Sequence, residues 1–362
     1  MTCVCAVAQT DTYLYTYNKK EWKNIVRHSP DSFFTTDEAT RIAENVLLYQ
    51  RCTGGWMKNW PMHKPLSDEE RAQVIKDKNR RDDSTTDNDA TIMEMTFLAK
   101  YYRNSTSKSA EVCEAFVKAV EYLLSGQYDN GGWPQFWPEN KGYQVHITYN
   151  DDAMVQTMNM LKAFIDRKAP FDSIANDIPA DRQADLDART KKAFDKGIGC
   201  ILNTQIVVDG KPTVWCQQHD HITLKPTPAR AFELASYCSQ ESAKIVELLM
   251  SLPEPDSMVI KAVEGAMAWF EKYKITGIRL ERFTDESGKP DVRVAEDENA
   301  PVIWARYYDL EKCEPLFSDR DGLPRKTFEE VGQERRTGYS WYNYAPADLY
   351  KRYYKWKKNI GR

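Results

Sequence analysis

The sequence predicts a mainly α fold, a toroid of paired helices ending in long irregular C-terminal loops. Three observations predict it. First, a tryptophan turn recurs: Gln50 stands four residues before Gly54-Gly55-Trp56, and Gln127 four before Gly131-Gly132-Trp133. A weaker third copy runs from Gln205 through "VVDGKPTVW" to Trp215. Second, each turn follows one amphipathic stretch and precedes another, and a repeat of this kind sets the architecture. Third, strand signals are sparse, the runs "QIVV" and "KPTVW" being the clearest.

The elements follow in order. "TTDEATRIAENVLLYQ" opens on capping residues and then spaces Ala39, Ile42, Val46 and Leu47 for one helix face. "SAEVCEAFVKAVEYLLSGQ" does the same with Val112, Phe116, Val120, Leu123 and Leu124, and "ARTKKAFDKGIGCILNTQ" with Ala193, Ile198, Ile201 and Leu202. The partner helices are expected in "DNDATIMEMTFLAKYYR", "YNDDAMVQTMNMLKAFID" and "TPARAFELASYCSQESAKIVELLM". A lone helix pair cannot bury its apolar face, so neighbouring repeats must close on one another. A further helix over 257–274 is expected to begin a partial fourth repeat. Residues 280 to 345 read as irregular, and their aromatics, from Trp304 and Tyr307 to Trp341 and Tyr344, argue that they are ordered.

The bulk numbers exclude several classes. The chain has 362 residues, 41% hydrophobic and 29% charged, which suits a globular protein with a sizeable core. A net charge of −4 speaks against a nucleic-acid binder. No apolar run reaches the roughly 18 residues of a membrane span. The eight cysteines form no CxxC pair and are expected to be mostly buried free thiols. Residues 1–25, with Cys3, Cys5 and the Ala6-Val7-Ala8 run, are read as the remnant of an export signal; residues 26–362 are read as a single domain. A secreted or periplasmic monomer is expected.

The turns and the starts of the second helices carry the chemistry. Glycine pairs allow the chain to reverse sharply. Trp56 and Trp133 suit either core packing or stacking on a sugar. Lys58 and Gln135 look like walls of a polar cleft. If the repeats are equivalent, the starts of the second helices share one rim. They carry Asp87-Asn88-Asp89, Asn150-Asp151-Asp152 and Thr227-Pro228-Ala229-Arg230. Acidic residues there are first of all caps, Asp89 and Asn150 in particular. Arg230 at the positive end of a helix is unexplained by that rule and calls for something negative nearby. The carboxylates offer oxygen ligands for a hard cation, and Arg230, Arg306, Arg320, Arg335 and Arg336 offer forks for carboxylates. The inference is an acidic sugar ligand. His146, His219 and His221 lie in loops without a diagnostic metal spacing.

In order along residues 36 to 345, "NVLLYQRCTGGW", "STTDNDAT", "QYDNGGWPQFWP", "HITYNDDAM", "WCQQHD", "PARAFELAS", "WARYYDLEKCEPLFSDRDG" and "ERRTGYSWY" resemble polysaccharide lyase family 10, the pectate lyases. The resemblance implies an (α/α)3 toroid, Ca²⁺ dependence and β-elimination of polygalacturonate, an acidic polysaccharide. It implies Arg230 as the catalytic base. Asp87 and Asp152 would be ligands of one Ca²⁺, with Asp151 the close competitor of Asp152. Arg306 and Arg320 would bind substrate carboxylates, with Asn88, Lys58, Trp56 and Trp133 completing the substrate site. Two departures stand out: Met57 where the family commonly has Pro, and Asp89 where Asp-Asn-Gly is expected. A uronate-acting glycoside hydrolase, a terpenoid-handling toroid and a non-enzymatic pectin-binding module are the alternatives.

Overall fold

The computed structural model describes residues 22–361. Cys3, Cys5 and the Ala6-Val7-Ala8 run lie outside them. Two compact units are interleaved along the chain. One comprises the chain to Gln127, Gln135–Asn140 and Gln156–Asp195; the other comprises Tyr128–Pro134, Lys141–Val155 and the chain from Lys196 onward.

The first unit holds α1 (Trp22–His28), α2 (Asp37–Tyr49), α3 (Asp68–Asp77), α4 (Ile92–Asn104) and α5 (Ala110–Ser125). It also takes most of α6 (Ala153–Ile165), the short α7 (Phe171–Asn176) and the first part of α8 (Ala180–Thr204). The boundary expected after residue 25 falls inside α1, whose Trp22, Ile25 and Val26 are buried. The helix starts follow their caps: Thr36 accepts from the Ala39 amide, Ser109 from Val112, and Ser67 forms a reciprocal capping box with Glu70. The apolar stripes are buried as their spacing requires, with Ile42, Val46, Phe97, Phe116, Val120 and Leu123 among the core residues.

The second unit holds α9 (Ser239–Met250), α10 (Ser257–Lys272), α11 (Gln333–Gly338) and α12 (Leu349–Asn359), with the ends of α6 and α8. Two expectations need correction here. Residues 278 to 296 are a regular antiparallel hairpin rather than irregular loop, Ile278–Thr284 paired with Pro290–Glu296 from Ile278↔Glu296 to Thr284↔Pro290. Its tight turn is held by Asp285, whose carboxylate accepts from the Ser287 and Lys289 amides. The helix expected from Thr227 begins only at Ser239, and Arg230 lies in the irregular segment before it.

The tryptophan turn is a structural clasp. The Gln50 side-chain amide donates to the carbonyls of Gly54 and Ala115, and that of Gln205 to Thr213 and Ala262. Gln127 donates to Ala193. In the first and third turns the indole N–H caps the end of the preceding helix: Trp56 to Val46, Trp215 to Ile201. Trp304 does the same to Phe270, so the repeat begun by α10 closes on its own tryptophan, with the 278–296 hairpin inserted. The first glycine of each Gly-Gly pair has φ of +93° (Gly54) or +92° (Gly131). A Cβ would lie 2.3 Å from the Lys118 carbonyl oxygen at Gly54. Gly55 and Gly132 are required by close packing, against Tyr122 and Ile147.

Gly54→Ala should therefore destabilise the protein by at least about 2 kcal/mol, since strain and a backbone clash add. In α8, Gly199 has nothing within 4 Å of a built Cβ. Gly199→Ala should stabilise by about 0.5–1 kcal/mol. Denaturant midpoints measure both, and equal shifts in one direction would contradict the clasp.

Among the described residues Cys200, Cys216 and Cys238 are buried free thiols, Cys113 and Cys313 are half-buried, and Cys52 is exposed. Among them too, no helix is long and apolar enough to cross a membrane.

Candidate active site

The acidic motifs form matching turns. Asp87–Asp89 is a 3-10 turn in which Asn88 and Asp89 have φ of +56° and +66°; in Asn150–Asp152, Asp151 and Asp152 have φ of +50° and +62°. Backbone pairing fixes the register. The Thr85 amide donates to the Trp56 carbonyl, Thr148 to Trp133, and Cys238 to Trp215. Asp87 thus corresponds to Asn150, and Asn88 to Asp151. In the third repeat the corresponding residues are those from Gln240 to Ser242, not Thr227 to Arg230. In the first motif the acidic residues do not cap the following helix as expected. Left-handed backbone separates Asp87 from α4, and no side chain caps the start of that helix.

In the first unit Asp87 is buried and ion-paired with Lys58, and its Oδ2 accepts from the Gln135 amide at 3.0 Å. Its Oδ1 is buried with no hydrogen-bond partner. Asp89, where glycine is expected, keeps the left-handed backbone and pairs with Lys23 at 3.0 Å and Arg27 at 2.7 Å. The added carboxylate is thereby neutralised. Asn88, Asp89 and Met57 line one cavity of about 610 Å³ with Trp22, Trp60 and Met93. Both departures from the family pattern thus face the same space. At its wall the Glu94 carboxyl is pushed up to about 7 by burial, against the hydrogen bond it accepts from the Trp22 indole.

Two aromatic expectations are corrected. Trp56 and Trp133 are fully buried and belong to the core, so neither stacks on a sugar. Trp60, 47% exposed, is the aromatic that faces the cavity with surface to spare. Trp137 is also core, stacked on Tyr122 at 4.4 Å.

The second unit joins the arginines through a chain of tyrosines. Arg230 is 42% exposed and bound by Glu233, with Nε–Oε2 at 2.7 Å and a second bond from Nη2 to Oε1. The negative partner that the sequence demanded is thus three residues away, and no helix dipole is involved. Hydrogen bonds to Glu233 hold the Arg230 pKa above its ordinary value, outweighing burial. Burial pushes the Glu233 carboxyl up, but bonding from Arg230 pulls it below the usual carboxylate range. The guanidinium lies over Phe232 and Tyr339. Tyr339 donates to Glu233 at 2.7 Å, and its oxygen is 2.5 Å from the Tyr307 hydroxyl, which contacts the Gln217 side chain at 2.6 Å. Each hydroxyl has one proton, so three contacts need a third donor. Turning the Gln217 amide so that its otherwise unpaired Nε2 donates to Tyr307 satisfies the chain from Gln217 through Tyr307 and Tyr339 to Glu233.

Arg306 was expected to bind a substrate carboxylate. Instead it is 3% exposed and ion-paired with Glu241, and it donates to Asn150 Oδ1 at 3.1 Å. Asp151 lies 3.9 Å away and contacts the Asn150 amide. Arg306 therefore fixes the Asn150–Asp152 turn from inside. Burial opposes its charge, but Glu241 holds its pKa above the ordinary value. Arg320 is open, 64% exposed on its side chain, pairs with Glu334 at 3.0 Å and feels the charge of Arg230. Arg335 reaches over Phe232. Glu233, Glu241, Tyr307 and Tyr339 were not singled out from the sequence; "PARAFELAS" and "GYSWY" hold two of them, but nothing in spacing marked either as a partner of an arginine. His219 is buried between the Leu224 carbonyl and the Cys216 amide, and burial pushes it down to about 4, so it is structural.

A family model described as pectic acid lyase matches residues 50–350. Among solved structures, a family 10 polysaccharide lyase from Cellvibrio cellulosa is 30% identical with a TM-score of 0.75, covering 92% of this chain and 94% of that one. A mutant of the family 10 polysaccharide lyase from Cellvibrio cellulosa in complex with trigalacturonic acid is 29% identical, also with a TM-score of 0.75, covering 94% and 96%. No curated protein matches.

Proposed function

The chain belongs to the pectic acid lyase family, and on that premise we propose that it cleaves polygalacturonate by β-elimination, with Arg230 as the base. It is a pectate lyase; the terpenoid and hydrolase readings lapse with that membership. The observation that carries the residue assignment is the half-open Arg230 guanidinium, held by Glu233 and within electrostatic reach of the exposed Arg320.

The step is an elimination. A base takes the C5 proton of a galacturonate, the C5–H electrons form the C4–C5 double bond, and the C4–O4 bond breaks with its pair on oxygen, which gains a proton. The C5 proton is α to a carboxylate, so the site must stabilise growing negative charge. Arg320 and Lys58 are the cations assigned to bind the substrate's carboxylates. Arg230 must be deprotonated to act, and Glu233 opposes this. Activity should therefore rise into alkaline pH, carried by a small fraction of a strong base.

The residues fit a hard divalent cation. In the first unit Asp87 Oδ1 is a buried oxygen without a partner; in the second, Asp151 and Asp152 carry carboxylates on a left-handed turn. Calcium takes six to eight oxygens, more than these residues supply, so substrate oxygens and water would have to complete the set. Bound there, calcium would neutralise a substrate carboxylate and so acidify the adjacent C5 proton. Asp87 and Asp152 would hold it, with Asp151 the alternative to Asp152.

Calcium added to protein stripped of all metal should restore elimination yet hardly raise the melting temperature, because an ion completed by substrate is weakly held without it. Asp87→Ala and Asp152→Ala should each raise the calcium concentration needed for activity. A large calcium-induced rise in melting temperature would mean a structural ion and overturn the assignment. Export of the chain is inferred from its polymeric substrate, and cell fractionation checks it.

A further inference from the structure

We propose that His146, Asp220 and His221 form a binding site for a transition-metal dication of the zinc type, separate from the residues assigned to calcium. Each offers one ligand atom, and these atoms all lie within 4.8 Å of one another. The strand Ile147–Thr148 pairs antiparallel with Gln218–His219, Ile147 opposite His219. One step further along that ladder sets His146 beside Asp220, with His146 Nδ1 3.5 Å from Asp220 Oδ2. The His146 and His221 rings are 5.7 Å apart.

Two observations point to an ion. The Nδ1 atoms of both histidines are buried and make no hydrogen bond. A buried polar atom without a partner is costly, and two of them in a cluster whose ligand atoms lie within 4.8 Å of one another call for a common partner. The carboxylate is also oriented for it. Asp220 Oδ1 accepts from the Ile222 amide at 3.1 Å, the Thr223 amide at 2.7 Å and the Thr223 hydroxyl at 2.9 Å, which leaves Oδ2 facing the histidines. The surroundings are built as well: Asn130 holds the His221 carbonyl at 2.7 Å, and the Tyr128 ring lies 5.4 Å from the His221 ring.

The donor set selects the metal. Two imidazoles and one carboxylate suit zinc with water in a fourth position, whereas calcium takes oxygen alone. The ion would join the Gly142–Val145 turn to the loop after His219, which bridges to Pro226 and runs on to Arg230. Its role is to pin that loop.

The test is titration of the metal-stripped full chain with Co²⁺, read by ligand-field absorption, and with Zn²⁺, read by melting temperature. One Co²⁺ per chain should bind with a tetrahedral-type spectrum, Zn²⁺ should displace it and raise the melting temperature, and Ca²⁺ should do neither. His146→Gln, His221→Gln and Asp220→Asn should each weaken binding more than about tenfold, and His28→Gln should not. Absence of saturable uptake by the unaltered protein would overturn the proposal whatever the variants do. Undiminished uptake in the His146→Gln/His221→Gln double variant would overturn it equally.

Discussion

Arg230→Ala should lower turnover of polygalacturonate by about 10²–10⁴-fold, the range a positioned base contributes. The fold should survive. Arg230 is half-open, so its ion pair is discounted by solvent and loss of the arginine costs little by itself. It does leave Glu233 buried without its cation, with the Tyr339 hydroxyl and the residue-230 amide still donating to it, and the carboxyl can take up a proton to relieve that. Glu233→Gln makes the sharper companion. Glu233 holds the Arg230 pKa up, so removing its charge should move the alkaline limb of kcat to lower pH. A merely structural Glu233 would change stability and leave that limb in place. Near-normal turnover by Arg230→Ala would remove Arg230 from catalysis. A profile falling near pH 6 would point to a histidine instead; His219 is excluded by its burial, which leaves His146 and His221.

The largest stability effect is expected at Arg306. Arg306→Ala leaves Glu241, itself buried, without its cation, and breaking such a pair from one side costs about 3–5 kcal/mol. It also frees Asn150 and Asp151, so activity of the protein that remains folded should fall with a raised calcium requirement. Arg306→Met with Glu241→Met should recover most of the stability, because the desolvated charges go together. It should not recover activity, since the Asn150 contact is still missing. Recovery of both would reduce Arg306 to a packing residue.

The helical repeat was legible because it is local. A glutamine, two glycines and a tryptophan at fixed spacing after an amphipathic stretch must turn the chain back, and Gln50, Gln205, Trp56 and Trp215 make the same bonds to equivalent carbonyls. The fate of Trp56 and Trp133 was not legible, because an indole that caps a helix and one that faces a sugar read alike in sequence. Arg230 was flagged for the wrong reason: helical spacing in "PARAFELAS" suggested a helix start, but backbone pairing places that start at Ser239. Its carboxylate, Glu233, was in the same motif and went unread. The partners of Arg306 were out of reach, since Glu241 and Asn150 are distant in sequence and meet it only through tertiary packing. The hairpin over 278–296 was missed because its strands alternate weakly and most of its faces are only half-buried.

The central claim is calcium-assisted elimination of an acidic polysaccharide, and the most direct measurement is ultraviolet absorbance during incubation with polygalacturonate. Elimination creates a C4–C5 double bond conjugated to the carboxylate, which hydrolysis never does. The account predicts absorbance that grows with calcium, stops on chelation, resumes when calcium alone is returned, and is lost in Arg230→Ala. Chain shortening without new absorbance, or absorbance indifferent to calcium, would contradict it.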